Sequence, residues 1–306
     1  MDRSRSGITS SPDVAVLRQR RALPFLGLAL LTVLLSASAH EAAPHAPQAV
    51  SISAGVAYRT MERSKPSPLV MHVVEIDLVE APGVLKVVAN QSAPDGGLIA
   101  TTVSQLAAKA DFSVAVNANF FQVPGGRYPK EGERTQAVGG LIVEKRMISP
   151  KGPGHGLINA GLCIEGRNVR VEKGFECRGA TYGFASGPLL LWQGKPVDTE
   201  LADRIFKVPR HPRTALGVDS ARQKVWLIVA DGRQEGVSEG ATLDELKQTL
   251  KELGAVDALN LDGGGSSTLV ARVPGAGLRV LNVPIHERVP GRERPVVTAL
   301  GMTSGE

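Results

Sequence analysis

Apolar and polar positions alternate with the period of a β-strand along much of this chain, and the period of a helix emerges in two places. Residues 69–79 set Met71, Val73, Ile76 and Leu78 among polar neighbours, and residues 84–88 repeat the pattern after a Pro82-Gly83 turn. Short apolar runs at 112–116, 140–143, 161–164, 169–171, 188–192, 225–230 and 258–261 lie between Gly, Pro and charged residues, as strands between tight turns do. Helices are predicted over 102–110 and 242–253. In the first, Thr102 and Gln105 have the spacing of a capping box. In the second, Thr242 and Glu245 repeat that spacing, Leu243, Leu246, Leu250 and Leu253 form an apolar stripe, and Gly254 ends it. The pattern predicts an α+β fold, a single mixed α/β domain rich in β-strands, over 66–306.

The first 65 residues read differently. Arg18, Arg20 and Arg21 precede an apolar run over 23–35, and Ala37-Ser38-Ala39 follows it as a cleavage site, so 1–39 is expected to be a signal peptide. The run is short for a membrane span, although an uncleaved anchor is the alternative. Residues 40–65 are expected to be a linker and N-terminal extension, beginning with a stretch rich in Ala, Pro and His. A periplasmic or extracellular location follows, with no membrane span after signal cleavage.

Export changes the charge picture. Residues 1–39 hold five of the 35 basic residues and two of the 30 acidic ones, so the remainder carries a surplus of about two positive charges. With aromatics at only 4%, neither a general basic field nor a stacking surface points to nucleic acid. The two cysteines, Cys163 and Cys177, are expected to form a disulfide in an oxidising compartment, contributing roughly 3 kcal/mol in the chain-entropy account; two free thiols are the alternative.

Candidate chemistry gathers at predicted strand ends. Asp262-Gly263-Gly264-Gly265-Ser266-Ser267 follows a strand, and three glycines let backbone amides converge on a phosphate or another oxyanion. A plain glycine-rich turn capped by Asp262 explains the same residues. Asn117-Ala118-Asn119-Phe120-Phe121 offers two amides suited to sugar hydroxyls, or a turn whose amides serve the backbone. Arg213 supplies a planar fork for phosphate, or an ordinary ion pair. Asp231-Gly232-Arg233 provides a second acid, which could share glycoside cleavage with Asp262 or simply begin a turn. No metal-ligand spacing and no cofactor motif is evident.

Taken in order, these segments together with Ser186-Gly187-Pro188, Arg213-Thr214-Ala215-Leu216-Gly217, Asn260-Leu261-Asp262 and Arg294-Pro295-Val296 resemble the phosphodiester glycosidase family over 117–302. The resemblance implies a hydrolase of a glycosyl phosphodiester or related glycosidic bond, acting on a glycan or sugar-phosphate without a cofactor. It implies catalytic roles for Asp262, Asp231 and Arg213, and substrate contacts from Asn117, Asn119, Ser186, Asn260, Gly263, Gly264, Gly265, Ser266, Ser267 and Arg294. Ala118-Asn119 and Ala185 depart from the family pattern, which has Gly-Gly and Gln there. A glycan-binding module that kept the fold and lost turnover is the alternative.

Overall fold

The computed structural model describes residues 49–91, 97–150, 156–206 and 210–305. The expected signal peptide and residues 40–48 of the expected linker lie outside the described residues.

The backbone of the fold is an eight-stranded antiparallel sheet. Its order is Val50–Ser53, Val56–Arg63, Leu69–Asp77, Lys224–Ala230, Arg213–Val218, Asp257–Asn260, Leu189–Trp192 and Lys195–Pro196. Alternation decides what each face covers. Val74, Ile76, Leu216, Val225, Leu227, Val229 and Leu259 point into the main core. Met71, Val73, Ala215, Trp226, Ile228 and Ala258 point the other way, onto the helix Leu243–Leu253 through Leu243, Leu246 and Leu250. Covering both faces explains why residues 225–230 form an unbroken apolar run instead of an alternating one. Gly217 permits the close approach, since a Cβ there would lie 2.8 Å from Leu250 and 2.7 Å from Ala255.

Two five-stranded sheets complete the main core. One runs Asn168–Lys173, Ala160–Glu165, Tyr182–Ser186, Leu141–Val143, Arg146–Ser149; the other runs Gly277–Val280, Leu269–Val273, Phe112–Asn117, Thr298–Thr303, Leu85–Ala89. Leu162 and Phe184 from the first meet Val114, Val116 and Leu300 from the second and Val74 and Leu227 from the large sheet. The fold is thus more thoroughly β than the α+β expectation. Among the described residues only three α-helices occur, Val103–Lys109, Glu200–Phe206 and Leu243–Leu253, and the two that the sequence predicted carry both halves of their capping boxes. No helix among the described residues is long and apolar enough to cross a membrane.

The expected extension over 40–65 is not all linker. Val50–Ser53 and Val56–Arg63 form a hairpin, and the second strand pairs in unbroken register with Leu69–Asp77. Its residues are mostly half-buried, with Arg and Glu among them, so the apolar signal of an interior strand is weak at this edge. Cys163 and Cys177 are bonded to each other, as expected.

Candidate active site

The strands Lys224–Ala230 and Asp257–Asn260 both flank Arg213–Val218 and both run antiparallel to it, so their C-terminal ends emerge together beside Arg213. Main-chain hydrogen bonds hold this edge in place. Leu261 donates to Thr214 at 2.8 Å, Asp262 to Ala118 at 3.2 Å and Gly264 to Pro212 at 2.7 Å. The residues 262–267 therefore form a short turn pinned to two neighbouring segments. Gly264 takes a left-handed φ of +63°, and a Cβ on Gly265 would collide with the Arg294 guanidinium. The glycines are needed for close approach of arginine to backbone.

An inner pocket of about 260 Å³ opens at this turn, bordered by Asp262, Gly263, Gly264, Asn260, Arg213 and Arg294 and also by Phe120, Phe121, Tyr128 and Arg233. Asp262 is half-buried. Its Oδ1 accepts the Gly263 N–H at 2.9 Å. Burial pushes its carboxyl up from 3.8 to about 6, against the opposing pull of Arg294, Ser266 and the Gly263 amide. Desolvation wins here, leaving an acid that titrates close to neutrality.

The cations are held differently. Arg213 is buried, with Nε donating to the Ala241 carbonyl at 3.3 Å. Burial lowers its guanidinium to about 10; Asp203 opposes this and Arg233 adds to it. Arg294 lies 3.5 Å over the Tyr128 ring, donates from Nη1 to Ser266 Oγ at 3.2 Å and from Nε to His286 Nδ1 at 3.3 Å. His286 is kept toward its neutral form by burial and then by Arg294, as its acceptor role requires. Arg233 also approaches the turn, since a Cβ on Gly264 would lie 3.0 Å from its Nη2.

Several residues expected at the substrate do not border this pocket. Asp231 is one of them. Its Oδ1 accepts Asn282 Nδ2 at 3.1 Å and the Val283 N–H at 2.9 Å, and its Oδ2 lies 3.1 Å from His72 Nε2. Tyr58 Oη stands 2.8 Å from the other His72 nitrogen. The Asp231 carboxylate is buried and its oxygens are occupied by protein donors, so it holds segments together beneath the site.

Asn117 is likewise structural: Nδ2 donates to the Asp262 carbonyl at 2.6 Å, and Oδ1 accepts Thr214 Oγ1 at 2.8 Å and the Thr268 N–H at 3.2 Å. One amide thereby ties three strand ends. Asn119 bonds Thr298 and the Ala185 carbonyl, and Ser186 donates to the Asn260 carbonyl at 2.9 Å. The two departures from the family pattern, Asn119 and Ala185, thus touch each other behind the pocket. Ser267 and Gly265 are buried in the turn, and Ser266 faces Asp262 and Arg294.

Tyr128, His286 and Arg233 were not among the expected contacts. Tyr128 and His286 sit in loops without strand or helix periodicity. Arg233 does follow Asp231-Gly232, so the segment offers an arginine as well as an acid to this end of the sheet.

Residues 110–303 match the Phosphodiester glycosidase family. Over 188 residues, 55% of this chain, the sequence is 28% identical to N-acetylglucosamine-1-phosphodiester alpha-N-acetylglucosaminidase of Homo sapiens, and it is 26% identical to the Mus musculus enzyme over 189 residues. Those alignments cover 34% of each enzyme, so the chain spans about a third of the length of these curated relatives. In fold it is similar to the zebrafish catalytic domain of that enzyme, auto-inhibited by pro-peptide, with a TM-score of 0.56 and 20% identity over 86% of this chain and 85% of that one. A hypothetical protein from Synechocystis is similar with a TM-score of 0.60 and 17% identity, over 86% of this chain and 64% of that one. With the family match extending over more than half of its residues, the chain belongs to the phosphodiester glycosidase family.

Proposed function

We propose that this protein is an exported hydrolase that separates a sugar from phosphate in a glycosyl phosphodiester of an extracellular or cell-envelope glycan. The observation that carries this reading is Asp262: a half-buried carboxyl titrating near 6, set on a glycine turn beside Arg294, in a pocket that Arg213 and Arg233 also line.

The division of labour follows from charge. The sugar's anomeric carbon becomes positive as its bond to the phosphate oxygen lengthens, and a carboxylate beside it stabilises that charge. With a pKa near 6, Asp262 is mostly ionised at neutral pH and can fill this role. The arginines hold the phosphate as it gains negative charge. Arg294 is fixed for the task by Tyr128, His286 and Ser266. Water adds its oxygen to the anomeric carbon and gives up a proton, and the phosphate departs as a phosphomonoester. Such a leaving group is already a weak base, so the reaction does not depend on a second acid. This agrees with Asp231 being committed elsewhere. Phe120 and Phe121 offer apolar surface to a sugar ring.

The test is release of free sugar from an N-acetylglucosamine α-1-phosphodiester and from diesters of other hexoses. Turnover of at least one, abolished by Asp262→Asn, supports the reading. Binding of these compounds with no hydrolysis by the wild type would return the glycan-binding alternative.

A further inference from the structure

The inner pocket opens into a wider cavity of about 860 Å³ that shares Tyr128, His211, Arg233 and Arg294 with it and adds Arg210 and Arg288. Arg210 is already neutralised, because its two terminal nitrogens meet Glu245 at 2.8 and 3.0 Å. Arg233 and Arg288 have no ion pair among the described residues. Glu235, Glu239 and Glu287 also border the cavity, but Glu287 is paired with Arg292 at 2.7 Å, and neither of the others forms an ion pair with Arg233 or Arg288. Partial burial lowers the Arg233 guanidinium, and Arg294 and Arg288 lower it further, so the cations here repel one another.

Both unpaired arginines also sit on backbone that side-chain-bearing residues rarely adopt. Arg233 has φ of +59° and Arg288 of +61°. Such conformations persist where surrounding structure enforces them, and they concentrate at sites that bind or react. Two segments distant in sequence, the turn after Lys224–Ala230 and the short 3₁₀ turn His286–Arg288, each spend backbone strain to bring an arginine to one cavity.

A phosphodiester carries one negative charge. Arg213 and Arg294 face it in the inner pocket, with Arg233 between the two cavities. Arg288 stands beyond them. We infer that the outer cavity, through Arg288 together with Arg233, binds a second phosphoryl group on the leaving-group side of the substrate. The substrate class is then a glycosyl phosphate extended by a further phosphate. That phosphate is either directly attached, as in a glycosyl diphosphate, or spaced, as in a repeating phosphate-linked polymer. The inference rests on the reading of Asp262 as the reaction centre, which fixes which side is the leaving group.

Binding can be measured without turnover. Inorganic phosphate, pyrophosphate and glycerol 1,3-bisphosphate are titrated calorimetrically into the wild type and into Arg288→Gln and Arg288→Lys at low ionic strength. The expected result is at least tenfold tighter binding of one two-phosphate probe than of phosphate. Arg288→Gln should cut that preference at least fivefold, and Arg288→Lys should restore part of it. Preference for pyrophosphate identifies the attached arrangement, and preference for the bisphosphate the spaced one. Equal affinity for all three probes, or a preference unchanged in a folded Arg288→Gln, overturns the inference. So does the absence of any binding. A wild type that hydrolyses simple glycosyl diesters but shows no two-phosphate preference sinks this inference alone. A wild type with the preference but no turnover sinks the hydrolase reading, and with it the leaving-group assignment, while the two-phosphate site stands.

Discussion

Asp231 and Asp262 emerge at the same edge of the same sheet, on strands that flank Arg213–Val218 on either side. Their surroundings then diverge. Asp231 collects Asn282, the Val283 amide and His72, and its carboxylate has protein donors at both oxygens. Asp262 has the Gly263 amide and Ser266, faces a pocket, and is desolvated enough to titrate near 6. A saturated buried carboxylate is bound into the fold. One that is desolvated and incompletely satisfied carries a cost in the folded state, and such a cost persists at sites that do chemistry. Position at a strand end does not separate the two; the count of donors does.

Four measurements would break or sharpen that contrast. The largest effect belongs to Asp262→Asn. Its kcat/KM should fall by about 10²–10⁴-fold, the usual loss for an acid–base group, or further if the carboxylate bonds to the sugar. Its thermal midpoint should hold or rise, because the displacement from 3.8 to about 6 corresponds to roughly 3 kcal/mol of preference for a neutral side chain. A variant that is destabilised yet fully active per folded molecule would make Asp262 a cap.

Asp231→Ala should show the converse. Leaving Asn282, the Val283 amide and His72 without their acceptor should cost about 2–4 kcal/mol in denaturant unfolding. The folded fraction should keep kcat within an order of magnitude. A drop in kcat as deep as that of Asp262→Asn would restore Asp231 to the reaction and dissolve the contrast.

The pH dependence is next in size. If the ionised form of Asp262 is the working one, kcat/KM falls about tenfold per unit as pH drops below about 6. Stability has the opposite sign. Because the folded pKa lies above the unfolded value, the stability tied to this group is fully present below about pH 3.8 and is lost as pH rises through about 6. The difference in unfolding free energy between wild type and Asp262→Asn should therefore widen between pH 4 and 7. A difference flat across that window would refute the assigned shift.

The smallest effect serves as the control. Thr242→Ala removes one half of a capping box on Leu243–Leu253, where the Thr242 hydroxyl accepts the Glu245 amide and does not border the pocket, and should cost about 1 kcal/mol, or about 2–4 °C in Tm. Its kcat should not change.

The legible features were those written in local chemistry. Thr102 with Gln105 and Thr242 with Glu245 announce their helices because capping is a matter of four successive residues, about one turn of backbone. The 262–267 turn was visible because three glycines have few other uses. By contrast, Val56–Arg63 lies at the half-covered side of the sheet and mixes apolar with charged residues, so its pattern carries little signal. Arg294 was found by resemblance, but its support by Tyr128 and His286 arises from loops far apart in sequence. Asn117 shows the limit most directly. An amide next to aromatic residues looks like a sugar contact, and only the fold reveals that Asp262, Thr214 and Thr268 have already claimed it.

The strand Thr298–Thr303 pairs on one side with Phe112–Asn117 and on the other with Leu85–Ala89. It therefore fills the gap between two strands made about two hundred residues earlier. Until it docks, Phe112–Asn117 has an open edge, and Thr298 is absent from its bonds to Asn119 beneath the pocket. Pairings this remote in sequence form slowly, because the loop must close before any contact rewards it. A chain made only as far as residue 153 holds three of the eight strands of the large sheet and no part of the 262–267 turn.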